Sequence, residues 1–124
     1  MGFDINVYMT LHLCPETGKP YTYGKNYEKL YEIPEVVVPE DLRQYVVGRG
    51  KLFHAYTQIF NDENRFDIDV DEFLEQYPDW DDVKENSYYE EAKDFWSFED
   101  HKGFKRLLKW CRDQRIFYRV SWSY

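Results

Sequence analysis

Ser97-Phe-Glu-Asp-His-Lys-Gly-Phe-Lys-Arg-Leu-Leu-Lys-Trp-Cys-Arg112, followed by Ile116-Phe-Tyr-Arg-Val-Ser-Trp-Ser-Tyr124, contains the change of period that decides the fold class. Ser97 and Asp100 have the three-residue spacing of a capping box, in which each side chain satisfies the other residue's free backbone N–H. Phe104, Leu107, Leu108 and Cys111 then recur at the i, i+3, i+4, i+7 spacing of a helix with one buried face. Arg112 and Arg115 suit the negative end of the helix dipole. From Ile116 the period drops to two. Ile116, Tyr118, Val120, Trp122 and Tyr124 alternate with Phe117, Arg119, Ser121 and Ser123, which predicts a closing strand with one apolar face.

The start of the chain carries the same period. Phe3, Ile5, Val7, Met9, Leu11 and Leu13 alternate with Asp4, Asn6, Tyr8, Thr10 and His12, so a strand over 3–13 is predicted. Cys14-Pro-Glu-Thr-Gly-Lys-Pro20 is a turn, and Tyr21-Thr-Tyr23 reads as a short returning strand. Val36–Val38, between prolines, has the composition of an edge strand. Pro39-Glu40-Asp41 opens a helix that ends at Gly48-Arg-Gly50, and a second helix covers about 51–60. Asp69 or Asp71 starts a short helix that Pro78 stops. Asp79 caps a longer one over about 80–96, with Asp82 at the capping-box position.

The whole reads as α+β: a small antiparallel sheet that includes the N- and C-terminal strands, with four or five helices between them packed on one face. At 124 residues, with twenty-five aromatic rings, the chain suffices for a single domain with its own core. Phe104, Leu107, Leu108 and Cys111 are expected to bury against Ile5, Val7, Met9 and Leu11 and against Ile116, Tyr118 and Val120.

Charge is distributed unevenly. Residues 1–61 hold seven acids and six bases, 62–100 sixteen and three, and 101–124 one and seven, so local charges of −1, −13 and +6 underlie the net −8. Such asymmetry points to an electrostatic partner. No apolar run nears the ~20 residues of a membrane helix, and the N-terminus lacks the pattern of a signal peptide. Two cysteines, Cys14 and Cys111, make no disulfide framework and read as buried, reduced thiols. The expected location is the cytoplasm, with no membrane association.

Motifs for chemistry are weak. Asn61–Phe73 has acids at intervals, but aligned as an EF-hand loop it puts Arg65 at the fifth position and Phe66 where glycine is needed. It reads better as an acidic linker with helix-capping aspartates. His12 and Cys14 stand two apart on a strand, and His54, His101 and Cys111 add no paired zinc spacing. Gly48-Arg-Gly50 lacks the third glycine of a dinucleotide loop, and neither G-K-[ST] nor G-x-S-x-G occurs. No catalytic residue, metal ligand or cofactor is therefore assigned.

Two surfaces remain. Asp79, Asp81, Asp82, Glu85, Glu90, Glu91 and Asp94, with Trp80, Tyr88 and Tyr89 among them, offer carboxylates and aromatic anchors to a protein with a basic patch, as an inhibitor or a nucleic-acid mimic would. The plainer reading of this segment is a solvated face. Lys102, Lys105, Arg106, Lys109 and Arg112, with Trp110 available for stacking, form a basic helix face suited to nucleic acid. The plainer reading there is internal neutralisation by the acidic segment, and the negative net charge opposes phosphate. The leading expectation is a non-enzymatic acidic interaction module. A nucleic-acid binder comes second, and an enzyme or metal protein third.

Overall fold

A computed structural model describes residues 4–8, 12–31, 37–58, 60, 67–114 and 118–123. Its strands are β1 (Asp4–Tyr8), β2 (His12–Leu13), β3 (Pro20–Tyr23), β4 (Lys29–Tyr31), β5 (Val47–Arg49), β6 (Asp67–Asp69) and β7 (Arg119–Ser123). The α-helices are α1 (His54–Thr57), α2 (Val70–Glu75), α3 (Trp80–Lys84), α4 (Tyr89–Ala92) and α5 (Phe98–Asp113). Two 3-10 turns, Glu40–Tyr45 and Lys51–Phe53, complete the described helical elements.

The α+β architecture expected from the two periodicities is present. Four strands form an antiparallel sheet in the order β5-β1-β7-β6. Its centre is the pairing of the two terminal strands, with Ile5 opposite Trp122 and Val7 opposite Val120. Ile68 lies opposite Val120 on the next strand. Because side chains alternate along a strand, Ile5, Val7, Ile68, Val120 and Trp122 bury one face together. Phe104, Leu107, Leu108 and Cys111 from α5 join them and Tyr118 in one cluster. Met9, Leu11 and Ile116, assigned to the same contact, lie outside the described residues, as do Phe3, Arg115, Tyr124 and the linker 61–66.

The capping box of α5 is formed: the Asp100 amide donates to the Ser97 hydroxyl at 3.3 Å, and the Ser97 amide donates to Asp100 Oδ2 at 2.9 Å. The helix lies on the 3-10 turn 40–45 and on α2. Gly103 permits this approach, because a Cβ at that position would overlap the Tyr45 ring.

Several local expectations are corrected. The apolar stretch 3–13 serves two sheets: β1 belongs to the four-stranded sheet, while β2 pairs with β3 in a separate antiparallel sheet ordered β2-β3-β4. Gly48-Arg-Gly50 is not a break between two α-helices. Gly48 sits in β5 opposite Ile5, where a side chain would collide with Phe53 and Ile5, so its glycine serves a close approach. The segment before it is a 3-10 turn rather than an α-helix. Asp67–Asp69, read as linker, is an edge strand that Arg119 clamps through Asp67 and Asp69, both at 2.8 Å. Finally, the helix expected over 80–96 is split into α3 and α4, and neither Asp79 nor Asp82 forms a side-chain cap. Val37 and Val38 are not in a strand, and Val36 lies outside the described residues.

Candidate functional site

The split between α3 and α4 shapes the acidic region. Val83 and Ala92 point inward and are buried, which fixes the outward direction of their neighbours. Asp79, Asp81, Asp82, Glu85, Glu90, Glu91 and Asp94 are all exposed. Their recorded ion pairs are local: Lys84 with Asp81 at 3.3 Å and Lys93 with Glu90 at 2.8 Å. Exposed pairs one turn apart contribute little, so the surface keeps its negative field.

The aromatic residues of this segment divide by role. Trp80 is half-buried, with its ring centroid 5.3 Å from His101 and 5.8 Å from Tyr89. Tyr88 lies 5.9 Å from His54, with the Lys51 ammonium 5.5 Å from its ring centroid. These rings brace the surface from beneath. Two rings absent from the sequence-based assignment project outward instead: Phe95 is 65% exposed and Phe98 47%. Phe98 falls off the buried stripe of α5, which was its available signal, and Phe95 lies in the turn before that helix.

Between α1, the end of α2 and α3 lies a cavity of about 670 Å³, lined by Tyr56, Tyr77, Glu75, Asp79, Asp82 and Glu85 among others. Its aromatic edge belongs to a buried network. The Trp96 indole donates to the Tyr56 hydroxyl at 2.9 Å, and Tyr56 lies 2.8 Å from His101 Nδ1. An indole only donates, so the Tyr56 oxygen accepts from Trp96, while the direction of its bond with Nδ1 follows the His101 tautomer. Tyr77 donates to the His101 carbonyl at 2.6 Å. Burial, and then the Lys105 ammonium, lower the His101 pKa, against a smaller opposing pull from Asp79. Burial raises the Tyr56 pKa and lifts that of Tyr77 well above its ordinary value. These groups are neutral near pH 7. The cleft therefore pairs an uncharged aromatic edge with four carboxylates, a combination suited to an alkyl stem ending in a cation.

The basic face is less open. Lys102 pairs with Glu99 at 3.0 Å and Arg112 with Asp113 at 3.6 Å. The Lys105 ammonium lies 5.5 Å from the Tyr77 ring centroid. Lys105, Lys109 and Arg112 share a groove of about 410 Å³ with Asp71 and Glu75. Arg106 and Lys109 are exposed, and half-buried Trp110 lies 6.3 Å from the Tyr118 ring. Arg119 is bound to the β6 carboxylates.

Both cysteines are free and buried. Burial pushes the Cys111 thiol up to about 12. At Cys14 burial also acts upward, but hydrogen bonds from Thr17, Tyr31 and the Glu16 backbone outweigh it and bring the thiol down to about 7. Among the described residues, no three His, Cys, Asp or Glu side chains are placed to share a metal ion, and no helix is long and apolar enough to cross a membrane. No family model, curated protein or solved structure matches the chain.

Proposed function

We propose that the protein is a non-enzymatic interaction module whose acidic face, from Asp79 to Asp94, binds a macromolecular partner with a basic surface. One observation carries this reading: all seven carboxylates of that face are exposed, and their recorded ion pairs are with lysines of the same segment rather than with the basic helix. Phe95 and Phe98 supply exposed aromatic area beside the charge, as interface anchors do. The cleft at Tyr77, Asp79, Asp82 and Glu85 accepts a Lys or Arg side chain of the partner. Such a surface fits an inhibitor or nucleic-acid mimic that occupies a basic groove.

The test begins with capture of partners from the source cell, followed by purification of the captured protein and a direct affinity measurement. Asp81→Lys, Asp82→Lys and Glu85→Lys together are expected to weaken binding at least about tenfold, since like charges juxtaposed in an interface cost several kcal/mol. Undiminished affinity of the triple variant rejects the reading. Nucleic-acid binding through Lys102, Lys105, Arg106, Lys109, Trp110 and Arg112 is the weaker alternative, because Asp71 and Glu75 share the groove of three of those cations.

A further inference from the structure

The three-stranded sheet carries an aromatic face whose composition differs from the rest of the surface. Register places His12 opposite Tyr21, Tyr21 opposite Tyr31, and Tyr23 opposite Lys29. Side chains two apart on a strand share a face, so His12, Tyr21, Tyr23, Lys29 and Tyr31 lie together. The ring contacts agree: Tyr21 is 5.4 Å from Tyr23, 5.6 Å from His12 and 6.0 Å from Tyr31, centroid to centroid. Tyr21 is buried as the floor, with the Lys29 ammonium 4.8 Å from its ring centroid. Tyr23 and Tyr31 are 53% and 44% exposed.

This face opens into a groove of about 840 Å³ that reaches Val47 and Arg49 on β5 and Ser121 on β7. The size is within the ~300–1,000 Å³ of small-ligand sites. No Asp or Glu is among its described lining residues, although the protein carries a net −8. The contrast with the cleft at Asp79 and Asp82 gives the ligand its sign. Rings suit a planar π-system, and a lysine over the floor suits an anion.

We propose that this groove binds the base and phosphate of a nucleotide unit, with the base stacked on Tyr23 and the phosphate on Lys29. The shared chemistry admits a free mononucleotide or a unit within a single strand. Stacking on aromatic rings tolerates any base, and a flanking cation follows the backbone. The site is separate from both α5 and the acidic face, so its failure leaves the partner reading intact.

The experiment is fluorescence anisotropy of labelled (dT)12 and (dA)12 at low salt, with 5′-AMP as competitor. Saturable binding is expected, weakening as salt rises. Tyr23→Ala should reduce affinity at least about fivefold, and Tyr23→Phe should retain it. Lys29→Glu should reduce it about tenfold, whereas Lys105→Glu with Lys109→Glu should leave it unchanged. Displacement by AMP at concentrations near that of the oligonucleotide identifies a mononucleotide site, and displacement only at large excess identifies a strand site. Both outcomes support the proposal. Absence of binding at about 100 μM protein overturns it. So does binding that survives Tyr23→Ala and Lys29→Glu but is lost with the α5 substitutions.

Discussion

At the scale of single residues, Gly103 and His101 carry the sharpest expectations. An exposed helical glycine replaced by alanine gains up to about 1 kcal/mol from helix propensity. At Gly103 the new methyl group meets the Tyr45 ring, and overpacking costs about 1–3 kcal/mol. Gly103→Ala is therefore expected to lower the denaturant midpoint, and a raised midpoint would mean that the turn 40–45 does not rest on α5. For His101 the sign follows from its lowered pKa. The unfolded chain takes up the proton first, so the contribution is complete above the ordinary value of 6.5 and is lost as pH falls through the lower folded value. Urea unfolding at pH 7 and pH 5 should show a larger loss of stability for the wild type than for His101→Gln. His54, whose pKa is lowered by burial and then by Lys51, is present in both proteins and cancels.

Elements succeed or fail by whether their partner faces exist. Leu107 is fully buried in α5, so Leu107→Ala should cost about 2–5 kcal/mol. Lys109→Ala, on the exposed face, should stay within about 0.5 kcal/mol. Lys105 is the poorer control, because its ammonium lies over Tyr77. Thermal unfolding separates these cases, and equal effects of Leu107→Ala and Lys109→Ala would place the wrong face inward. The same logic explains what could be read in advance. Helix α5 and the terminal strands carry one strong period each, so their apolar faces were legible, whereas the direct pairing of β1 with β7 is seen only in the register. Short elements carry too few residues for a period. β6 has a single buried residue, Ile68, between two aspartates, so its strand character depends on pairing with β7 and on Arg119. The 80–96 segment has strong helix formers in Lys84-Glu85 and Glu90-Glu91-Ala92-Lys93, with the weak formers Asn86-Ser87-Tyr88-Tyr89 between them. It divides around Glu85–Tyr88, where the Asn86 side chain accepts from the Tyr88 backbone at 2.9 Å, a local bond that competes with helix.

For the whole molecule, charge is partitioned by surface as well as by sequence. The acidic face, the mixed groove between α2 and α5, and the groove of the three-stranded sheet, with Lys29 and Arg49 and no carboxylate among its described lining residues, are separate environments. Much of the acidic face was legible because sixteen acids in 62–100 cannot all be buried. The cleft was not, since it joins Tyr56 and Tyr77 to Asp79 and Glu85 across three helices. The aromatic face was hidden because β4 had no sequence signal and pairs Tyr31 and Lys29 with β3 only through register. Electrostatic recognition acts mainly on association rate, and salt screens it over a Debye length of about 8 Å at physiological ionic strength. The most direct measurement is therefore the association rate with the purified basic partner as a function of salt, for wild type and for the Asp81→Lys, Asp82→Lys, Glu85→Lys protein. The rate for the wild type should fall steeply between about 50 and 300 mM salt, and that of the variant should start lower and change little. A wild-type rate independent of salt, or identical curves for the two proteins, would contradict the acidic face as the binding surface.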